Sequence, residues 1–350
     1  MILTKINLSK GTEDSINKTQ LFISNLRKQF QSSNINVILG AGFSHGVFEL
    51  LGDIETKLFI AEIIDGDEEK VKELKKEFFK GSILPYLDDD KRKEGIEQRN
   101  QFLLLLNNIV SNRQSSILHK IINLYTTNYD LLIEESLEIC NIKYIDGFSG
   151  KIKPKFSTSN YGLIFNRQTS ISSMTSEITT CNLYKVHGSL NWDCNNNDIF
   201  SVDPSEKIRK IEEKLETDDF LTEYKKLAII NPTKDKLNQT VLNVNYYDQL
   251  RMYCNELEKN NTLLLSFGFS FSDEHISSMT VRALQSNPTL SLVVFSFDDS
   301  STEKYSKIFR DCSNANIVQL VESDDDKEVT VQFTLDKVNS ILEAVFNGTK

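Results

Sequence analysis

Three side chains of this sequence suit proton and hydrogen-bond chemistry, and each follows an apolar run of strand length. His187, with Gly188, closes Leu183-Tyr184-Lys185-Val186, while Asn128 and Asp130 lie in Thr126-Thr127-Asn128-Tyr129-Asp130, after Ile121 to Tyr125. An imidazole titrates near neutrality and can accept a proton from water or a hydroxyl. A carboxamide donates and accepts at once, so it can orient a water. The Asp130 carboxylate either stabilises a developing cation or caps the helix that starts at Leu131. Two glycine turns accompany them: Gly40-Ala41-Gly42-Phe43-Ser44 after Ile35 to Leu39, and Gly268-Phe269-Ser270 after Leu263 to Phe267. Glycine lets a backbone turn sharply and come close to a ligand. A helix after the first turn would aim its free N–H groups and positive dipole end at a phosphate. The longer fingerprint Gly-x-Gly-x-x-Gly is not completed, because Gly46 comes one residue late. On that motif alone, a tight turn without a ligand is an equal reading.

The elements around these residues alternate. Helical periodicity covers Glu13 to Phe30, Lys207 to Tyr224, Tyr246 to Leu257, His275 to Leu284 and Leu335 to Phe346. Strand-like runs cover Lys143 to Ile145, Leu227 to Ile230, Leu290 to Phe297, Asn316 to Leu320 and Val329 to Phe333, besides those already named. Phe48 to Asn108 is helical and charged, too long for a simple crossover. Ser149 to Thr180 is rich in Ser, Thr, Asn and Gly and reads as irregular structure or weakly ordered strands. The pattern predicts an α/β fold: a Rossmann-like parallel sheet with helices on both faces, plus a helical insertion. The division is 1–47 (N-terminal helix, first strand and turn), 48–112 (helical insertion), 113–300 (the rest of the core, with an irregular insertion at 148–180) and 301–350 (C-terminal strands and helix). In such a sheet ligands bind beyond the carboxyl ends of the strands, which is where the two glycine turns, Asn128 and His187 are all placed.

Composition narrows the function classes. A hydrophobic share of 39% with 26% charged residues is that of a folded soluble protein. The formal net charge of −10 argues against a sequence-blind grip on nucleic acid. No apolar run approaches the roughly 20 residues of a membrane span, and Met1 to Lys18 lacks an apolar signal core, so the expected location is cytoplasmic. The five cysteines are scattered, with no Cys-x-x-Cys pair, which argues against a zinc knuckle and a disulfide framework; no metal is expected. Of the other histidines, His275 starts a helix near the second glycine turn and reads as structural or as a support behind the site, His119 as a surface residue, and His45 either lines the first turn or faces solvent. Trp192 and the polar run Asp193 to Asp198 read as a loop beside the site and a candidate lid.

The set of segments resembles the sirtuin-like family, in particular its bacterial branch of NAD-consuming antiphage defence proteins. The residues that carry the resemblance are Gly40-Ala41-Gly42-Phe43-Ser44, Thr126-Thr127-Asn128-Tyr129-Asp130, Val186-His187-Gly188-Ser189, Ile229-Ile230-Asn231-Pro232-Thr233 with Lys236, and Gly268-Phe269-Ser270-Phe271-Ser272-Asp273. Each is modest, but they follow the family's order. The resemblance implies a Rossmann-type NAD-binding domain. It implies that Gly40, Ala41, Gly42, Phe43 and Ser44 hold the pyrophosphate, with Ser44 donating to it. Asn128 and Asp130, with Thr127 beside them, match the pair next to the nicotinamide ribose, and His187 the catalytic histidine. Gly268, Phe269 and Ser270 match the turn at the adenosine half, and Asp298 the adenine-ribose contact.

Two departures bear on the reaction. Lysine-deacylating sirtuins continue the first turn with a Gly-Ile-Pro-Asp-Phe-Arg type loop, whereas here the chain runs His45-Gly46-Val47-Phe48-Glu49-Leu50. They also carry four zinc-binding cysteines. Both differences favour plain cleavage of NAD⁺ as a substrate. Breaking the nicotinamide–ribose bond develops positive charge on the sugar, and nicotinamide leaves neutral, so the site must place a water rather than supply an acid. The expected function is an NAD⁺ glycohydrolase that depletes NAD⁺ in abortive infection, latent until a partner or assembly activates it. The alternatives are an NAD-dependent protein deacylase and a non-catalytic adenine-nucleotide-binding scaffold. Expected partners, from the family alone, are further copies in a homo-oligomer and a HerA-type ring ATPase.

Overall fold

The computed structural model describes residues 1–8, 13–49, 54–115, 117–168, 175–195, 198–229, 244–324 and 327–348. Ile230, Asn231, Pro232, Thr233 and Lys236 lie outside them. The strands are β1 (Ile2–Ile6), β2 (Asn34–Leu39), β3 (Ile121–Thr126), β4 (Lys143–Ile145), β5 (Phe148–Ser149), β6 (Lys155–Phe156), β7 (Asn166–Gln168), β8 (Thr175–Glu177), β9 (Thr180–Lys185), β10 (Trp192–Asn195), β11 (Asp198–Ser201), β12 (Thr262–Phe267), β13 (Leu290–Ser296), β14 (Ala315–Asp324) and β15 (Lys327–Thr330). The helices are α1 (Glu13–Ser32), α2 (Ile54–Phe59), α3 (Glu68–Ser82), α4 (Asp89–Lys93), α5 (Ile96–Ser111), α6 (Leu132–Ile139), α7 (Pro204–Glu213), α8 (Phe220–Tyr224), α9 (Val244–Leu257), α10 (Glu274–Ser286), α11 (Asp299–Ile308) and α12 (Leu335–Asn347).

Among the described residues, one large sheet runs β1-β14-β13-β12-β2-β3-β9-β4, with every neighbouring pair parallel, and β15 adds antiparallel to β14. The expected Rossmann-like sheet is therefore present. The strands are apolar on both faces because both are covered, and the period of two sorts their residues. Val37, Leu39, Leu124, Leu265 and Phe295 face a core shared with α1, α5, α6 and α12. Ile38, Tyr125, Tyr184, Leu264 and Val294 face a second core with α9, α10 and α11. The strand order reverses at β2: β3 and β9 follow on one side, and β12, β13 and β14 on the other. The crevice for a ligand in such a fold lies above that reversal.

A third core lies off the sheet. Phe78 and Phe79 of α3, with Ile83 and Tyr86, pack against Ile208 and Ile211 of α7, Phe220 and Tyr224 of α8, and Tyr129 and Leu190 from the strand ends. The expected helical insertion thus combines with α7 and α8, which the sequence pattern alone leaves within the sheet core. The last helix of the 48–112 stretch, α5, goes the other way and packs in the first core through Phe102, Leu103 and Leu106.

Several local readings differ. The first glycine turn leads not into a long helix but into a single 3₁₀ turn, Ala41–Ser44. Trp192 and its neighbours form the hairpin β10–β11, not a loop. Trp192 is buried and stacks on Tyr246 at 5.8 Å between ring centres, so it is core rather than lid. Of the run from Leu227, the described residues contribute one antiparallel bridge, Ile229 to Gly188. The polar N-terminus hides β1, which pairs with β14 from the far end of the chain.

One polar line crosses the sheet. Asn36, Asn123 and Asn182 are directly opposite one another on β2, β3 and β9 and are buried. Asn123 donates to Asn36 (3.0 Å) and accepts from Asn182 (2.9 Å). Asn123→Ala strands an acceptor on Asn36 and a donor on Asn182, which should cost about 2–4 kcal/mol. Urea unfolding of the variant against wild type measures this.

Candidate active site

The carboxyl ends of β12, β2, β3 and β9 are consecutive in the sheet. They carry, in that order, Gly268–Ser270, Gly40–Ser44, Thr127–Asp130 and His187–Ser189, so the four segments share one rim. The two glycine turns meet backbone to backbone. Gly42 N donates to Gly268 O at 3.0 Å, and Gly40 N donates to Phe267 O at 3.2 Å. A Cβ on Gly40 would stand 2.5 Å from Gly268 O, and one on Gly42 2.5 Å from Gly268 Cα. Gly268 itself has φ +64°, a region that favours glycine. These glycines therefore serve first to let the turns touch. Phe43 points down into the core against Phe102 (ring centres 5.6 Å), and Phe269 packs on Phe271, so either could face a ligand only through its backbone. Ala41 and Ser270 are exposed, and Gly42 and Thr127 are half-buried.

Asn128 straps the second segment to the first. Its Nδ2 donates to Gly40 O and to Ser44 Oγ, both at 3.0 Å. Ser44 Oγ donates a hydrogen bond to Asp130 Oδ2 at 2.8 Å, so the donation expected towards a phosphate goes to a carboxylate instead. Asp130 Oδ1 accepts from Leu132 N at 3.0 Å, in the first turn of α6. Asp130 is thus tied both to Ser44 and to the first amide of α6, whose N-cap position is Leu131. The amide oxygen of Asn128 takes no part in these bonds, which leaves it as the acceptor this side chain could offer a ligand.

The third segment is laced to the second. Tyr129 O accepts from Leu190 N at 3.0 Å and from Ser189 Oγ at 3.3 Å, so the Asn128 and His187 loops lie side by side. Tyr129 also anchors in the third core, edge-on to Phe78. Gly188 has φ +83°, and a Cβ there would stand 2.1 Å from Ala228 O and 2.8 Å from the Tyr246 hydroxyl. The space beside His187 is thus filled by Ala228 and Tyr246. His187 is buried, and its Nε2 lies 2.9 Å from Asp273 Oδ2. Asp298 stands one strand further out, after β13, and caps α11 by accepting from Ser301 N at 2.8 Å. Exposed His119 lies 3.4 Å from Glu177, away from this rim. His275 follows Asp273 in α10 and gives its backbone N–H to the Asp273 carboxylate.

Sequence reasoning missed three charged residues here. Asp273 closes the motif Gly268-Phe269-Ser270-Phe271-Ser272-Asp273, which by itself assigns it no role. Lys185, inside an apolar strand, donates to Asp130 O and pairs with Glu134 at 3.2 Å. A lysine in a buried strand is itself a signal, since an ammonium there must find a partner. Burial pushes the Glu134 carboxyl up to about 7, against the pull of Lys185. Among the described residues, no group of three or more His, Cys, Asp or Glu could hold a metal ion.

A family profile described as a SIR2-like domain matches residues 123–317, more than half of the chain. The matched stretch starts in β3 and includes Asn128, His187, Gly268 and Asp273. It accords with an NAD-related activity. No curated protein matches the chain.

Two outcomes follow. Gly42→Ala drives a methyl into the Gly268 backbone, where neither side can yield, and should cost about 1–3 kcal/mol; thermal unfolding reads it. For Glu134, the folded state keeps a proton that the unfolded chain loses above its ordinary value of 4.5. Its contribution to stability is full below that pH and is lost as pH rises through about 7. Melting temperatures at steps across this range should therefore shift in favour of Glu134→Gln as pH rises.

Proposed function

The chain belongs to the SIR2-like domain family, and on that premise we propose that it is an NAD⁺ glycohydrolase, cleaving the nicotinamide–ribose bond to nicotinamide and ADP-ribose. The observation that carries this reading is the lacing of the Asn128 loop to the His187 loop through the Tyr129 carbonyl, directly beside the two joined glycine turns. It puts an imidazole and a carboxamide at adjacent strand ends, next to the point where strand order reverses.

Bound NAD⁺ supplies a neutral leaving group and a sugar carbon open to water. His187 takes a proton from that water or from a sugar hydroxyl. Asn128, its N–H groups engaged by Gly40 and Ser44, orients the same water or hydroxyl through its oxygen. Asp130 holds Ser44 and the start of α6, and so keeps the loop in place. The first-turn continuation His45-Gly46-Val47-Phe48 and the scattered cysteines favour hydrolysis over lysine deacylation.

An enzyme that drains a cell of NAD⁺ must be held latent. We assign its setting to antiphage defence in the cytoplasm, with activation through self-assembly or a HerA-type ATPase partner. Among the described residues, no helix is long and apolar enough to cross a membrane.

The test follows nicotinamide release by the purified chain, alone and with candidate activators. His187→Ala should lower release by at least about 10²-fold while NAD⁺ still binds. Equal release by that variant, or none from wild type under any activating condition, sinks the proposal.

A further inference from the structure

The His187 imidazole does not stand alone, and its neighbour is held more firmly than an ordinary surface carboxylate. Asp273 ends the second glycine segment and precedes α10. Its Oδ1 accepts from His275 N at 3.1 Å and Ile276 N at 3.2 Å, and its Oδ2 lies 2.9 Å from His187 Nε2. One oxygen is thus fixed by two amides at the start of a helix, and the other is aimed at the ring. Both side chains are buried, so solvent screens the contact little. The contact also joins segments that the sheet separates: His187 follows β9, Asp273 follows β12, and β2 and β3 lie between.

We propose that Asp273 is a positioning residue for the reaction above: its carboxylate fixes the orientation of the His187 ring and offsets the charge the ring gains with a proton. This rests on the reading of His187 as the proton acceptor. The chemistry is that of a carboxylate behind an imidazole base: it selects one tautomer and stabilises the imidazolium as it forms. Asp273 touches no reacting atom. Its contribution to the rate passes through His187, which separates it from a strut that merely ties two loops.

Asp273→Asn tests this, because asparagine caps a helix about as well as aspartate and so spares α10. In the full-length protein the variant should lower the rate of nicotinamide release on the order of 10²-fold, with KM for NAD⁺ within about threefold of wild type. In a His187→Ala background the same change should cost nothing further. Proton NMR adds a readout independent of turnover. A low-field imidazole N–H signal should be present in wild type, respond to added NAD⁺ and vanish in Asp273→Asn. A rate within about threefold of wild type, or an equal loss in the His187→Ala background, overturns the assignment. If wild type releases no nicotinamide at all, the hydrolase reading falls, and the NMR signal decides the pairing: a signal that responds to NAD⁺ and is lost in Asp273→Asn sustains it, and an unresponsive or absent signal refutes it.

Discussion

Gly42 and Gly268 touch through bare backbone, and the rest of the rim is built outward from that contact. The two residues are far apart in the chain, yet a Cβ on Gly42 would fall 2.5 Å from Gly268 Cα. The contact sits between β2 and β12, where the strand order turns back on itself. A sheet that reverses there leaves a crevice above its carboxyl ends. Any side chain at these positions would wedge the two halves of the sheet apart. The glycines thus govern whether the halves of the site can share one edge.

From that contact a line of hydrogen bonds runs along the edge. Asn128 grips the first turn, Ser44 donates a hydrogen bond to Asp130, and the Tyr129 carbonyl binds the loop after His187. His187 then reaches back across two strands to Asp273 beside the second turn. Each bond is worth only about 1 kcal/mol or a little more. Because they are buried and share atoms, losing one member leaves its neighbours without partners. Tyr129 adds a hydrophobic anchor, since its ring sits in the core shared by α3, α7 and α8. The loop that carries Asn128 is therefore gripped from the sheet on one side and from the helical unit on the other.

The interior carries more polar groups than packing requires. The asparagines of β2, β3 and β9 form a bonded row, and Lys185 is buried with Glu134. Groups of this kind cost desolvation, but they penalise misalignment. A slip of one residue between β2 and β3 would set Asn123 against an aliphatic neighbour and turn every apolar side chain to the wrong face. Lys185 fixes the backbone of Asp130 in the same manner. Register at the rim is thus enforced by polar pairs beneath it.

The fold was legible from the chain because apolar runs of strand length alternate with helical periods, and that pattern is local. Leu263 to Phe267 and Ile35 to Leu39 read as buried strands without any partner in view. The candidate residues were legible for a related reason: a histidine, an amide or a glycine pair at a strand end stands out by type and place. β1 was not legible, since its pairing with β14 joins opposite ends of the chain. Nor was the joint core of the insertion with α7 and α8, which depends on three-dimensional meeting rather than on period. The sequence by itself determined the α/β class, the order of the strand-end motifs and the glycines. Only the tertiary structure decided what those groups touch: that the glycines face each other, that Ser44 serves Asp130, and that Asp273 stands behind His187. Side-chain partners across a parallel sheet are set by strand order, and strand order arises from long-range packing that leaves no periodic trace along the chain.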